Sequence, residues 1–164
     1  MRNYVWTLFA IILLAVTSCQ VKIDVQKEKD AILAVIQEET TAMAAMDKER
    51  MFAVHVQDSM ETRIELGVHG VNTLKGWGEI KPVLGDASEG WQVDNPVNSK
   101  ENVFIKVAGN SAWLTCNNVW KWSFEGDPGG SETFQIAFLE KIKGDWKISF
   151  SAYYSGNIPV IEAE

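Results

Sequence analysis

The sequence predicts an α+β fold in which helices come first and a curved antiparallel sheet follows. Three observations predict it: apolar residues at helical spacing between residues 28 and 46, long alternating runs beyond Trp91, and glycine-bearing turns between those runs. Helices segregated from a meander of strands define that class.

Each element has its own signal. From about Glu28, the residues Ile32, Val35, Ile36, Met43 and Met46 form an apolar stripe among small alanines, which predicts a long first helix. Asp47 offers a cap to a short second helix, with Met51, Phe52 and Val54 as its apolar contacts. Met60 to Leu66 alternates as a strand until Gly67 interrupts it, and Lys75 to Ile80 leads into a third helix. Strands are then expected at roughly 102–108, 112–124, 132–143 and 146–154, separated by turns at Gly109-Asn110, Gly126 to Gly130 and Gly144-Asp145.

Pairing Lys143 with Trp146 across the last turn sets an expected register, in which Leu139 faces Phe150 and Ala137 faces Ala152. One face then collects Leu114, Cys116, Asn118, Trp120, Trp122, Gln135 and Tyr154, and is taken as concave. The other carries Trp113, Val119, Phe134, Ile136, Phe138 and Tyr153 beside Glu140, Ser149 and Ser151. So apolar an outer face predicts a covering layer, most simply a second copy of the chain.

Composition narrows the class of partner. The 164 residues carry a net charge of −7, and no run of Lys or Arg exceeds a pair, so a nucleic-acid partner is excluded. The N-terminus holds Arg2, an apolar run from Leu8 to Val16, and then Val16-Thr17-Ser18-Cys19. The run is too short to span a bilayer, and its order of charged, apolar and small residues is that of a secretory signal. Its end resembles the bacterial lipobox, which implies lipid attachment at Cys19 after removal of residues 1–18. The expected organisation is therefore a signal at 1–18, a tether at 19–27, one domain at 28–156 and a tail at 157–164, anchored to a membrane of the bacterial envelope. With Cys19 so used, Cys116 has no disulfide partner and is expected to be a buried thiol.

Chemistry-bearing residues are few. His55 and Asp58 stand at i and i+3 at the end of the short helix, where a carboxylate could orient an imidazole as general base. Arg63 or Asn118 would then hold developing negative charge. Metal ligation has no spacing to support it, since a strand separates His55 from His69 and the chain has no His-x-x-x-His or paired cysteines. No glycine loop precedes a helix to cradle phosphate and no Gly-x-Ser-x-Gly elbow occurs, so no cofactor is expected. Trp120 and Trp122 beside Asn118, Gln135 and Tyr154 would make an apolar pocket with a few convergent polar groups, as small-ligand sites are built.

The run from Leu139 through Gly144-Asp145-Trp146 to Ile148 resembles the closing hairpin of SnoaL-like domains in the nuclear transport factor 2-like superfamily. Asp47 through Asp58 is similar to that family's second helix and acidic turn, and Gly76-Trp77-Gly78-Glu79-Ile80 to a helix start in it. The resemblance covers residues 28–155 and implies a cone: a strongly bent sheet around a long helix, enclosing a pocket, with dimers formed through the sheet's outer face. The superfamily holds isomerases, dehydratases, cyclases, association domains and non-catalytic binders, so fold alone does not select a function. The chain departs from its relatives at Ala137, where they often place a pocket arginine, and at Phe150 and Ala152, where they place histidine. The expected base aspartate falls near Thr62 or Arg63, and the first helix has no tyrosine. The function expected on these grounds is binding of a small, mostly apolar ligand. Its alternatives are isomerase, dehydratase or hydrolase chemistry on a small carbonyl compound, or a dimeric interaction module at the membrane.

Overall fold

The computed structural model describes residues 24–68, 70–90 and 92–156. The lipobox-like segment with Cys19, and also His69, Trp91 and residues 157–164, lie outside the described residues. Three helices, α1 (Val25–Ala44), α2 (Lys48–Ala53) and α3 (Trp77–Gly90), combine with six strands. The strands are β1 (Thr62–Gly67), β2 (Gly70–Lys75), β3 (Asp94–Ala108), β4 (Ser111–Phe124), β5 (Asp127–Ile142) and β6 (Asp145–Ser155), in the sheet order β2-β1-β6-β5-β4-β3. All neighbours run antiparallel except β1 and β6. The α+β expectation is met by a curved, unclosed sheet around the helices.

Helix α1 begins earlier than expected because Asp24 caps it, its side chain accepting from Lys27 N. It also ends earlier. Met46 takes positive φ, a left-handed residue just past the helix, and is exposed. Glu28 fastens the first turn to the β5–β6 hairpin, accepting at 2.7 Å from both Lys141 Nζ and Trp146 Nε1. Asp47 caps α2 through Arg50 N, and the Arg50 guanidinium grips Glu38 of α1 with two bonds of 2.7 and 2.9 Å.

Two apolar clusters fill the interior. Ile32 and Ile36 of α1 pack on Leu114, Leu139, Trp146 and Ile148 of the sheet, and Cys116 is buried among them as expected. Ala42, Met51, Ile80 and Leu84 join the three helices in a second cluster. Between the two, the core-facing stripe of α1 turns polar at Glu39 and Thr40, both buried.

The register differs from the expectation at two turns and one bulge. The last hairpin turns on Lys143-Gly144, both at positive φ, with Ile142 facing Asp145; the expected Gly144-Asp145 loop is displaced by one residue. Glu125-Gly126 makes the same kind of turn between Phe124 and Asp127, so β5 starts earlier and contains Gly129 and Gly130. On β6 the pairing jumps from Leu139 with Ile148 to Phe138 with Phe150, leaving Ser149 as an extra residue. Everything beyond it changes face: Ser151 and Tyr153 turn inward, and Tyr154 pairs with outward Phe134. Two further irregularities bend β3, and an asparagine at positive φ sits in each, Asn95 and Asn102. These bends also explain why β3 reads as a strand only from residue 102 while extending back to Asp94.

Candidate functional site

The polar interruption of α1 joins a network of polar residues from five strands. His55 is placed by the segment after α2, which lies along β6 for one bridge: Val56 N donates to Ile148 O and Ile148 N to Val54 O. Trp77 at the start of α3 covers the imidazole, ring centroids 5.4 Å apart. His55 is 3% exposed.

The structure does not bring His55 and Asp58 together as a dyad. Asp58 is exposed and its carboxylate caps its own turn, accepting from Met60 N at 2.7 Å and Glu61 N at 3.0 Å. The i, i+3 argument fails because α2 ends at Ala53, so the two residues share no helix. The turn that Asp58 shapes presents Glu61 instead. Glu61 Oε1 meets His55 Nδ1 at 2.5 Å, while its Oε2 accepts from Gln57 N at 3.0 Å. On the other side, His55 Nε2 stands 3.5 Å from Glu39 Oε1, a charge contact without hydrogen-bond geometry.

Two carboxylates against one imidazole fix its charge. Burial would lower the His55 pKa, but Glu39 and Glu61 outweigh it and raise it to about 9. Burial would likewise raise Glu39, and the facing His55, Arg63 and Lys100 cations instead hold it at about 2. His55 is thus an imidazolium with both nitrogens turned to carboxylates. It has no lone pair to accept a proton.

Arg63, on β1, comes in over the Tyr153 ring, its guanidinium carbon 4.4 Å from the centroid. Its Nε donates to Glu65 at 2.9 Å and its Nη1 lies 3.5 Å from Glu39 Oε1. Burial opposes the guanidinium charge, and the neighbouring Tyr153, Glu39 and Glu65 more than restore it. The Tyr153 hydroxyl donates to Glu39 Oε2 and accepts from Gln135 Nε2, both at 2.9 Å. Burial and the Glu39 charge push its pKa up, so it remains a phenol. Gln135 is fully buried and Asn118 nearly so. Lys100 donates to Asn118 Oδ1 at 2.6 Å, and Asn98 donates to the same oxygen at 2.7 Å. Burial lowers the Lys100 pKa.

Beside this network lies a cavity of about 280 Å³. Met43, Met51, Leu84 and Trp120 give it apolar walls; Glu39, Arg63, Asn118 and Tyr153 are among its polar ones. Of the residues expected to line a pocket, Asn118 and Trp120 do so, and Gln135 lies behind Tyr153. Trp122 shares the face but sits toward the rim, over Gly129. A Cβ at Gly129 would overlap that indole, which is why glycine stands there. Tyr154 is replaced by Tyr153, because the Ser149 bulge exchanges their faces.

Sequence reasoning missed Glu39, Glu61, Lys100 and Tyr153. Glu39 left a readable signal: it falls three residues after Ile36 and four before Met43, on the apolar stripe itself, where an unpaired carboxylate would be costly. Glu61 and Lys100 left none, since both sit in stretches whose face is set by distant pairing. Among the described residues, no three His, Cys, Asp or Glu side chains are grouped to hold a metal ion.

Solved structures of similar shape include nuclear transport factor 2-like proteins. An NTF2-like protein with a cystatin-like fold from Novosphingobium aromaticivorans aligns over 88% of this chain and 92% of its own, at 16% identity and a TM-score of 0.69. A putative dehydratase of the NTF2-like family from Streptomyces avermitilis aligns over 81% and 99%, at 12% identity and 0.69. The association domain of C. elegans CaMKII aligns over 80% and 97%, at 16% identity and 0.66. No family model and no curated protein matches the sequence. Identities this low establish the fold and leave function to the site.

Proposed function

We propose that the chain binds one small, mostly apolar molecule in the cavity between α1 and the sheet and does not transform it. The observation that carries this reading is the charge state of the site beside that cavity. A general base needs an available lone pair and a pKa near the working pH, whereas His55 is an imidazolium at about 9 and Glu39 a carboxylate at about 2. What remains is a pocket with methionine, leucine and tryptophan walls and a few fixed polar groups, which is how binding sites are built. Native mass spectrometry of the protein taken from its own cell envelope tests this. One small molecule per chain, lost in Ser131→Trp at the cavity wall, is the expected result; an empty wild-type chain overturns it.

We also propose that the domain is tethered to an envelope membrane by lipid on Cys19 and pairs through the outer face of its sheet. The lipobox-like sequence supports the first, and exposed Val97, Phe104 and Phe138 support the second. Cys19→Ala moves the protein from the membrane fraction to the soluble one if the tether is lipid. An unchanged distribution overturns that reading.

A further inference from the structure

An arginine in a ligand cavity ordinarily suggests a carboxylate ligand, because its fork matches two carboxylate oxygens. The surroundings of Arg63 argue the opposite. Its Nε is already bonded to Glu65 and its Nη1 is buried against Glu39, so two carboxylates share one guanidinium. Among the described residues, Nη1 has no hydrogen-bond partner although it is buried, and Arg63 and Glu39 are both cavity walls. Glu65 lines the same cavity. The wider cluster balances as well, with Glu39, Glu61 and Glu65 against His55, Arg63 and Lys100.

We infer that the cavity selects a neutral molecule that offers a carbonyl or hydroxyl oxygen to the Arg63 guanidinium, and that it discriminates against carboxylates. This rests on the binding reading above. A neutral oxygen gives the guanidinium the acceptor that its Nη1 lacks, while the ligand's apolar body lies along Met43, Met51, Leu84 and Trp120. A carboxylate in the same place would face Glu39 and Glu65 with no unneutralised cation to offset them. Glu65 is the specificity-setting residue, because it takes the Nε side of the fork and is partly exposed, so replacing it need not disturb the core.

Four naphthyl probes of matched shape test the inference by titration calorimetry at pH 7: naphthalene, 2-naphthol, 2-acetonaphthone and 2-naphthoate. The ketone and the alcohol are expected to bind about tenfold more tightly than either naphthalene or the naphthoate, the scale of one charge-assisted hydrogen bond. Glu65→Gln is expected to raise the affinity for naphthoate relative to that for naphthalene by about tenfold. Naphthoate binding as tightly as the ketone in the wild type, or a selectivity unaltered by Glu65→Gln, overturns the inference and leaves cavity binding standing. If naphthalene also binds as tightly as the ketone, the Arg63 guanidinium takes no oxygen from the ligand and the inference again falls. Failure of every probe to bind overturns the cavity reading and this one with it.

Discussion

Glu39 occupies a place on α1 where the spacing calls for an aliphatic side chain, and it is tolerated there because three groups face it. His55 and Arg63 stand 3.5 Å from Oε1, and Tyr153 donates to Oε2. Their effect on stability has a defined pH window. The folded His55 pKa is raised from 6.5 to about 9, so its contribution is complete below pH 6.5 and is lost as pH rises through 9. The folded Glu39 pKa is depressed from 4.5 to about 2, so its contribution is present above pH 4.5 and is lost as pH falls toward 2. Stability therefore plateaus between about pH 4.5 and 6.5 and declines by on the order of 3 kcal/mol by pH 10. Urea unfolding at pH 6 and pH 10 measures the drop, and an NMR titration of His69→Gln, which leaves His55 as the sole imidazole, locates its midpoint. A midpoint near 6.5 would contradict the buried imidazolium. At this scale the sequence was half legible: it named His55, Arg63, Asn118 and Gln135, but assigned His55 to Asp58 because the end of α2 was read too late.

The elements were read well wherever a local pattern decides them. The caps at Asp47 and the alternation of β4 need no distant information, and both are found. Strand β6 shows where that stops. Its alternation runs unbroken in the sequence, and only the two-against-one pairing of Ser149 with β5 reveals the bulge that turns Tyr153 inward. Strand β2 was missed for a related reason: its residues are exposed throughout except for Leu74, so it has no buried face to give it a period. The bulge has a mutational consequence. With Tyr153 inward, Tyr153→Phe removes a donor from an ionised carboxylate and an acceptor from Gln135, and costs about 1.5–3 kcal/mol. On an unbroken β6, Tyr153 would lie on the outer face, where such a change falls within about 0.5 kcal/mol. Denaturant unfolding of the variant distinguishes the two, and a near-neutral result would count against the bulge.

On the scale of the whole molecule, the bent sheet divides its two faces between different tasks. The inner face spends its residues on α1, the ion network and the cavity, while the outer face is left with Phe104 against Trp113 and Phe138 against Phe150, ring pairs 5.1 and 5.5 Å apart. Phe104 and Phe138 are each about half exposed, so these aromatic pairs are finished on one side only. A second copy of the same face would complete them symmetrically, since an isologous contact brings each patch onto its own counterpart. Sedimentation equilibrium of the soluble domain is then expected to show a mass rising with concentration toward twice that of the monomer. Phe138→Asp should hold it at the monomer mass, because a charge at the centre of an apolar contact must be buried without a partner. Phe138 lies outside the buried core, so the variant is expected to fold, which its own cooperative urea unfolding checks. A wild-type domain that remains monomeric at every concentration would mean that something other than a second copy covers the sheet.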